Sequence, residues 1–317
     1  MTSSRPLGRS DLSIAPLVLG GNVFGWTADQ ATSFRILDAF VAGGGNAIDT
    51  ADGYSVWVPG HVGGESETII GQWLKQRGRR DDVVIATKVG WEVNADNKGL
   101  AKNYILRAVE GSLRRLQTDY IDLYQSHKDD PTVPVEETLE AYAQLVKAGK
   151  VRVIGASNFT AERLRESLQA SEKHGLPRYE TLQPLYNLYD RADFEQHLRP
   201  LVQEQNIGVI PYYGLAAGFL TGKYRSEADL QKSARGGGVG QKYLNDKGLR
   251  LLQSLDAVAA RQQATPAQVA LAWIMAQPGL TAPIASATSP EQVTELLQAT
   301  ELQLSPEDIA ELGQASA

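Results

Sequence analysis

The amino-acid sequence predicts an α/β fold, a (β/α)8 TIM barrel with an N-terminal β-hairpin and long loops around an active site. Two observations predict it. Eight short apolar or β-branched runs alternate with amphipathic stretches of helical length, and no composition break or Pro/Gly/Ser linker divides them. We therefore expect one domain over residues 1–317. A doubly wound open sheet is the alternative, disfavoured because no G-x-G-x-x-G motif opens a first helix.

The eight candidate strands follow one another along the chain. They are PLVLG near Leu17, NAIDT ending at Thr50, VVIATK ending at Lys88, IDLYQSH ending at His127, VRVIGAS around Ile154, YETLQ ending at Gln183, IGVIPYY around Ile210 and LTAPIA around Ile284. Because the strands of such a barrel are parallel, their C-terminal ends share one face, where barrel enzymes keep their active sites.

Local signals place three further features. The segment RSDLSIAPL, before the first strand, predicts a tight turn between two short antiparallel strands across the barrel floor. Thr265 and Gln268 flank a first-turn proline as a capping-box pair, and Ser289 and Gln292 repeat this arrangement. Residues 214–244 contain GFLTGKY and SARGGGVGQ, which we interpret as a functional loop too polar and glycine-rich to form a regular element.

Composition excludes several classes of function. The chain has 31 basic and 37 acidic residues, a formal charge of -6 and no basic block, so we expect neither nucleic acid nor a membrane surface as a partner. It has no cysteine, which excludes disulfides, thiolate metal sites and a cysteine nucleophile. We expect a cytoplasmic protein, since there is also no signal-peptide pattern and no apolar run of ~20 residues.

Four residues at or just after strand ends have the chemistry of a carbonyl reduction site: Asp49, Tyr54, Lys88 and His127. A tyrosine with a pKa near ~10 donates its proton poorly at neutral pH unless a cation such as Lys88 favours the phenolate. Asp49 would hold that lysine in place. His127 would donate a hydrogen bond to a substrate oxygen and stabilise negative charge there.

Each of these residues also has a purely structural explanation. Asp49, in the run DTAD, can be a turn or capping residue. Lys88 can be a solvated charge, His127 a satisfied buried polar group and Tyr54 a packed aromatic. Four such residues at successive strand ends make the joint structural explanation less probable than each one separately.

Several motifs occur in order along nearly the whole chain. They read IDTADGYS with GGESE, VVIATK, LYQSHKDD, GKVRVIGASNF, LQPLYNLYDR, PYYGLAAGFLTGKY and SPEQV. In these motifs the sequence resembles the aldo-keto reductase family. The resemblance implies a TIM barrel that uses NAD(P)H, with Tyr54 as proton donor, Lys88 and Asp49 tuning it, and His127 orienting the carbonyl.

The resemblance also implies a cofactor site. Ser157, Asn158 and Gln183 match the positions that hold the nicotinamide carboxamide, and Tyr212 matches the aromatic residue that stacks on the nicotinamide ring. Strand-end capping and core packing are their structural explanations. The segment that would cover the pyrophosphate contributes Leu215, Gly218 and Lys223.

At the adenosine end the sequence departs from the family pattern. Many NADP-binding relatives have an arginine where this chain has Thr288, and a later asparagine position is Leu296. Ser286, Thr288 and Gln292 can still bind a 2′-phosphate through hydroxyl groups, an amide and a helix N-terminus. We therefore expect NADP(H) to be favoured over NAD(H).

Four aromatic residues follow the first three strands and are expected to wall the substrate pocket: Phe24, Trp26, Trp57 and Trp91. We expect reversible reduction of a small aldehyde, ketone or ketosugar, without a metal. One alternative is a regulatory subunit similar to potassium-channel β subunits, which binds the cofactor but serves a partner protein. The other is a metal-dependent barrel hydrolase, although four histidines without an H-x-H pair supply few ligands.

Overall fold

A computed structural model describes residues 4–317. Eight parallel strands form one sheet, in which the first seven pair in chain order and the last pairs with the first. They are β3 (Val18–Gly20), β4 (Ala47–Asp49), β5 (Val84–Val89), β6 (Ile121–Ser126), β7 (Val151–Ser157), β8 (Tyr179–Gln183), β9 (Gly208–Val209) and β10 (Ile284–Ala285). All eight predicted strands are therefore confirmed.

Helices connect these strands. The α-helices are α1 (Gln30–Ala42), α2 (Glu65–Arg77), α3 (Lys102–Leu116), α4 (Val135–Lys147), α5 (Ala161–His174), α6 (Arg199–Glu204), α7 (Gly236–Tyr243), α8 (Asp246–Gln262), α9 (Pro266–Met275), α10 (Pro290–Gln298) and α11 (Pro306–Ala315). A π-helix, Phe194–Leu198, leads into α6, and two 3-10 helices, Ala216–Thr221 and Glu227–Lys232, precede α7.

Backbone hydrogen bonds close the sheet between β9 and β10. The N–H of Thr281 donates to the carbonyl of Val209 at 2.8 Å, and the N–H of Ile284 donates to that of Pro211 at 2.9 Å. Since β10 also pairs with β3, no open sheet edge remains between these strands. The (β/α)8 barrel is confirmed, and the doubly wound alternative is wrong.

An N-terminal hairpin covers the floor of the barrel, as predicted. Strands β1 (Arg5–Pro6) and β2 (Ser13–Ile14) pair antiparallel. Leu7, Leu12 and Ile14 are buried and pack against residues from the barrel interior. The turn at Gly8 approaches the barrel so closely that a Cβ there would lie 2.3 Å from the Glu180 carbonyl oxygen, so only glycine fits.

The capping prediction is confirmed for one helix and only in part for the other. At α9 the Thr265 side chain accepts from the Gln268 N–H while the Gln268 side chain accepts from the Thr265 N–H. At α10, Ser289 is the N-cap, but the Gln292 side chain accepts from the N–H of Thr288 at 2.8 Å. Gln292 therefore fixes the position of Thr288, the residue before the N-cap.

The expectation that residues 214–244 form an irregular loop is wrong. The segment contains both 3-10 helices and α7, and buries Phe219, Tyr224 and Tyr243. Its glycines allow close packing: a Cβ at Gly236 would lie 1.7 Å from the Leu230 carbonyl oxygen. Glycine here permits helix packing, whereas the composition suggested a loop.

Candidate active site

Three of the four predicted catalytic residues meet at the C-terminal face of the barrel because their strands are parallel and in register. Asp49 ends β4 beside Ala86, and Lys88 lies near the end of β5 beside Gln125. His127 directly follows β6, and its N–H donates to the Val89 carbonyl at 2.8 Å. The loop after β4 brings Tyr54 back over the same face, where its hydroxyl lies near Asp49.

Lys88 is the centre of this cluster. Its ammonium donates to Asp49 Oδ2 at 2.7 Å, to the Thr50 carbonyl at 2.8 Å and to the Tyr54 hydroxyl at 2.7 Å. All three of its donors are therefore used within the protein. The Tyr54 hydroxyl in turn donates to Asp49 Oδ2 at 3.1 Å. The side chain of Lys88 is 0% exposed, so this charge is held in one position.

The electrostatics of Tyr54 differ from the sequence-based expectation. Burial raises the pKa of Tyr54 well above its ordinary value, and the negative charge of Asp49 adds to the effect. Burial lowers the pKa of Lys88, while Asp49 opposes that change. Lys88 thus does not make this phenol acidic overall. Tyr54 instead stays protonated throughout the neutral pH range, with the ammonium beside its oxygen.

His127 is held as a neutral imidazole. Burial, and then the positive charge of Lys88, lower its pKa well below the usual value. Its ring lies 5.9 Å from the Tyr54 ring and 5.1 Å from the Trp91 ring, centroid to centroid. Within residues 4–317 its buried Nδ1 has no hydrogen-bond partner. A neutral imidazole keeps one N–H donor, which is what an incoming carbonyl oxygen needs.

The residues expected to hold the nicotinamide carboxamide form a network beside this cluster. Ser157 Oγ donates to the Gln183 carbonyl at 2.9 Å, and Asn158 Nδ2 donates to the His127 carbonyl at 2.9 Å. The Tyr212 hydroxyl donates to Asn158 Oδ1 at 2.8 Å. Gln183 Nε2 donates to Asp49 Oδ1 at 2.8 Å, a link that sequence reasoning missed because it assigned Gln183 only to the cofactor.

A cavity of about 930 Å³ opens above these residues. Its size suits a large organic ligand. Asp49, Tyr54 and His127 line it, with Lys88 directly behind. Every residue predicted to contact the cofactor also lines it: Ser157, Asn158, Gln183, Tyr212, Leu215, Gly218, Lys223, Ser286, Thr288 and Gln292.

The far end of the cavity lies at the start of α10. Ser286 Oγ donates to Asn22 Oδ1 at 2.6 Å, and Thr288 Oγ1 donates to Gln292 Oε1 at 3.1 Å. Hydrogen bonds among these side chains fix their positions at the N-terminus of α10, where backbone N–H groups favour an anion.

Within residues 4–317, two of the four aromatic residues expected to wall the substrate pocket line this cavity. Trp57 and Trp91 line the cavity and are 48% and 44% exposed. Phe24 is 0% exposed in the hydrophobic core, so its assignment to the substrate pocket is wrong. Trp26 does not line the cavity; it packs edge-on against Trp57, with ring centroids 5.6 Å apart.

Two features of the site escaped the sequence analysis. Arg235 lines the cavity from the segment before α7, and no local pattern distinguishes it from a surface cation. Behind Lys88 lies a buried cluster in which Glu67 accepts from Arg115 at 2.7 Å and from the Thr87 hydroxyl. Beside it, burial and then the charge of Glu67 raise the pKa of Asp52 to about 8.

The described part of the chain, residues 4–317, contains no group of three or more His, Cys, Asp or Glu that could hold a metal ion. Over the same residues, no helix combines the length and apolar character that crossing a membrane requires.

Comparison with known proteins identifies the family. The model of the Aldo/keto reductase family matches residues 16–317. Uncharacterized oxidoreductase YrpG from Bacillus subtilis is 37% identical, covering 95% of this chain and 92% of that protein, and Aldo-keto reductase YhdN from the same organism is 35% identical, covering 94% and 87%. A Probable voltage-gated potassium channel subunit beta from Oryza sativa is 32% identical, covering 93% and 90%. By the family match and by these full-length similarities, the chain belongs to the aldo/keto reductase family.

Proposed function

We propose that this protein reduces the carbonyl group of a small aldehyde, ketone or ketosugar, with a nicotinamide cofactor as hydride donor and Tyr54 as proton donor. Family membership implies an NAD(P)H-dependent oxidoreductase. The observation that carries the proposal is the contact of the Tyr54 hydroxyl with the Lys88 ammonium at 2.7 Å, at the base of the cavity.

The residues around the cavity fit a dinucleotide. The amides of Asn158 and Gln183 and the ring of Tyr212 lie beside the catalytic cluster, and Thr288 and Gln292 lie at the opposite end. A nicotinamide near Tyr54 and an adenosine near α10 would use both ends. When bound, NAD(P)H supplies the hydride that the carbonyl carbon receives.

Tyr54 supplies the proton that the carbonyl oxygen needs. Its raised pKa keeps the phenol neutral at working pH, so the proton is present when the reaction begins. An alkoxide is a stronger base than a phenolate, so the alkoxide that forms on the substrate takes the proton from the phenol of Tyr54. The phenolate left on Tyr54 is then stabilised by the Lys88 ammonium and regains its proton from solvent.

His127 and Asp49 position the reacting groups. The neutral imidazole of His127 can donate its remaining N–H to the carbonyl oxygen and stabilise the charge that develops there. Asp49 holds the Lys88 ammonium at 2.7 Å, and Gln183 holds the second oxygen of Asp49. Because Tyr54 donates to Asp49 in the structure, its hydroxyl must turn toward the substrate before it can transfer the proton.

A substrate screen tests the proposal. Purified protein is mixed with NADPH or NADH and a panel of aldehydes, ketones and ketosugars, and the absorbance of the reduced nicotinamide is followed. We expect turnover of at least one carbonyl. Tight cofactor binding with no turnover of any compound would instead favour the regulatory alternative, which the 32% identity to a protein named as a potassium channel β subunit keeps open.

We also propose that NADPH binds more tightly than NADH. The hydroxyl groups of Ser286 and Thr288 and the N–H groups at the start of α10 can donate hydrogen bonds to a 2′-phosphate, without an arginine. Quenching of protein fluorescence by each cofactor measures both affinities. The preference should weaken in Gln292→Ala, since Gln292 orders Thr288, and equal affinities in the unsubstituted protein would contradict it.

Two broader expectations also belong to the proposal. Residues 1–317 form one domain, which the closure of β10 onto β3 supports, and a single cooperative unfolding transition is the expected result. The cytoplasm is the expected location, because a chain without cysteine suits a reducing compartment.

A further inference from the structure

His127 reaches the cavity from the loop that connects β6 to α4, residues 127–134. Within residues 4–317, the buried Nδ1 of its ring has no hydrogen-bond partner. Its backbone is held on both sides instead: the N–H donates to the Val89 carbonyl at 2.8 Å, and the carbonyl accepts from Asn158 Nδ2 at 2.9 Å. The orientation of the imidazole therefore depends on the position of this loop.

Arg163, at the start of α5, binds the loop at three points. Its Nε donates to Asp129 Oδ1 at 2.8 Å. Its Nη2 donates to the carbonyls of Asp130 at 3.1 Å and Val133 at 2.7 Å, while its Nη1 donates to Glu166 on α5 itself at 3.0 Å. The side chain of Arg163 is 16% exposed, and the planar guanidinium keeps its donors in a rigid fork. Arg163 thus fixes the loop against α5.

The same loop also holds the loop after β5, which carries Trp91. Asp130 Oδ2 accepts from the Leu100 N–H at 3.0 Å, at the far end of that second loop. Trp91 lines the cavity, and its ring lies 5.1 Å from the ring of His127, centroid to centroid. A displacement of residues 127–134 would therefore affect both rings.

We propose that Arg163 is a positioning residue for carbonyl reduction: it holds the loop of His127 so that the imidazole faces the substrate oxygen beside the Tyr54 hydroxyl. Arg163 is not among the described residues that line the cavity, so it acts through the loop. A shift of about 1 Å in a reacting group can slow a reaction by about 10²-fold, which lets a residue outside the cavity control kcat. This inference rests on the proposed carbonyl reduction.

Arg80 provides a matched control at the other end of the barrel. Its side chain is 17% exposed, and it donates to Asp122 Oδ2 at 2.7 Å and to the carbonyls of Val83 at 2.8 Å and Tyr120 at 3.3 Å. These partners lie at or just before the start of β5 and β6. Arg80 and Arg163 thus each bind one partner carboxylate and two carbonyls across a loop, but only Arg163 does so beside the catalytic cluster.

Steady-state kinetics compares Arg163→Met with Arg80→Met, using NADPH and a carbonyl from the screen. Arg163→Met should lower kcat by about 10- to 100-fold, with a smaller change in KM and less than about a threefold change in NADPH affinity. Arg80→Met should lower the melting temperature by a similar amount but keep kcat within about threefold. Arg163→Lys keeps the charge without the fork and should recover part of kcat.

The titration of His127 is a readout that a purely structural role would not change. Burial, and then the charge of Lys88, hold the pKa of His127 well below its ordinary value of 6.5. With isotopically labelled histidine, nuclear magnetic resonance follows the four histidines, and the signal absent from His127→Gln identifies His127. This signal should not titrate between about pH 5.5 and about pH 8 in the unsubstituted protein or in Arg80→Met. In Arg163→Met the released loop should expose the ring, so the midpoint should move toward 6.5.

Other charges near the ring must be separated from its exposure. Tyr54, 5.9 Å away centroid to centroid, stays protonated over this range, and Lys88 keeps its pairing with Asp49 in every variant. In Arg163→Met, however, the carboxylate of Asp129 loses its partner and would itself favour a charged imidazole. The double variant Arg163→Met with Asp129→Asn removes both charges and should show the same shift. If the shift is absent from the double variant, it is electrostatic and the proposal is wrong.

The remaining outcomes are equally distinct. If Arg163→Met and Arg80→Met lose equal stability and neither changes kcat or the titration of His127, Arg163 serves only the fold. If Arg163→Met does not fold, Asp129→Asn alone removes one of the three contacts and should lower kcat by about threefold, and an unchanged kcat would contradict the proposal. If the titration shifts in Arg163→Met but no protein reduces any carbonyl, the positioning of His127 stands while the proposed reaction fails.

Discussion

Residues of the catalytic cluster and of the 214–244 segment line the same cavity, but their charged side chains differ in how they are paired. In the cluster, Lys88 is fully paired by Asp49, Thr50 and Tyr54. In the segment, Arg235 is partly buried, and within residues 4–317 its Nη2 has no hydrogen-bond partner. The difference indicates two roles. The cluster is organised before any ligand arrives, as proton transfer requires. In the segment, the guanidinium of Arg235 remains available to a ligand.

The two regions also differ in how they are held. Asp49 and Lys88 lie on strands whose register fixes their separation. The segment relies on 3-10 helices, on α7 and on positive φ angles of 48° at Ala216 and 55° at Ala217. Positive φ angles are unfavourable for residues other than glycine, and they persist only where the surrounding packing imposes them. Substitutions in the cluster should therefore affect chemistry, and substitutions in the segment should affect binding and local stability.

The largest expected effect is on Tyr54. Tyr54→Phe removes the proton donor while keeping the ring, so we expect carbonyl reduction to fall by about 10²- to 10⁴-fold. Steady-state kinetics with any substrate from the screen measures it, and NADPH affinity should not change. Near-normal turnover would remove Tyr54 from its proposed role.

Lys88→Met should lower kcat by about 10²-fold, because the phenolate that forms on Tyr54 loses its neighbouring cation. The same substitution leaves the charge of Asp49 buried and unpaired, which should cost about 3–5 kcal/mol of folding stability. Thermal unfolding of this variant and of Lys88→Arg checks that cost. Unchanged kinetics in a folded Lys88→Met would contradict the assigned role.

Two adjacent glycines in α7, Gly236 and Gly237, test how tightly this helix packs against the rest of the 214–244 segment. Gly236→Ala places a Cβ 1.7 Å from the Leu230 carbonyl oxygen, so the helix must move, at a cost of about 1–3 kcal/mol. Gly237→Ala meets no atom within 4 Å and should stabilise α7 by up to about 1 kcal/mol. Hydrogen exchange of residues 226–243 reports both changes. Equal protection in the two variants would mean that α7 does not pack as described.

The smallest effect concerns Asp52 and the pH dependence of stability. Burial, and then the charge of Glu67, raise the pKa of Asp52 to about 8, while Arg115 and Lys88 oppose the rise. In the unfolded chain the pKa of an aspartate is ~3.9. Between that pH and the pKa of the folded state, the carboxyl group of Asp52 is protonated in the folded protein and ionised in the unfolded chain. Stability is therefore lost as pH rises through about 8.

Asp52→Asn, which stays neutral, should flatten this dependence. The melting temperature of the unsubstituted protein should fall between about pH 6 and about pH 9 by more than that of the variant. Asp81→Asn, at an exposed position, is the matched control and should keep the original slope. If the melting temperatures of all three proteins fall equally with pH, a group other than Asp52 is responsible.

Residues of the catalytic cluster could be placed from the sequence, whereas residues of the 214–244 segment could not. Asp49, Lys88 and His127 could be placed together because parallel strands put their C-terminal ends on one face. Phe24 was misplaced, since the direction of a side chain in a turn depends on packing that no periodicity encodes.

The segment 214–244 was misjudged for a related reason. The glycine at 236 looks like loop composition, yet it permits close contact with Leu230 in a helix. Arg235 could not be distinguished from a solvated cation, because its lack of a partner is a property of the folded chain alone. The direction of the pKa shift at Tyr54 was also beyond the sequence, since burial and Asp49 outweigh the visible lysine.

The role of Tyr54 as a neutral proton donor can be tested by measuring its protonation state. With tyrosine isotopically labelled at Cζ, nuclear magnetic resonance follows the 12 tyrosines, and the signal absent from Tyr54→Phe identifies Tyr54. We expect this signal to keep the position of a neutral phenol up to and beyond pH 10.0, the ordinary pKa of tyrosine, because burial raises the pKa of Tyr54. Ionisation of Tyr54 near neutral pH would contradict it.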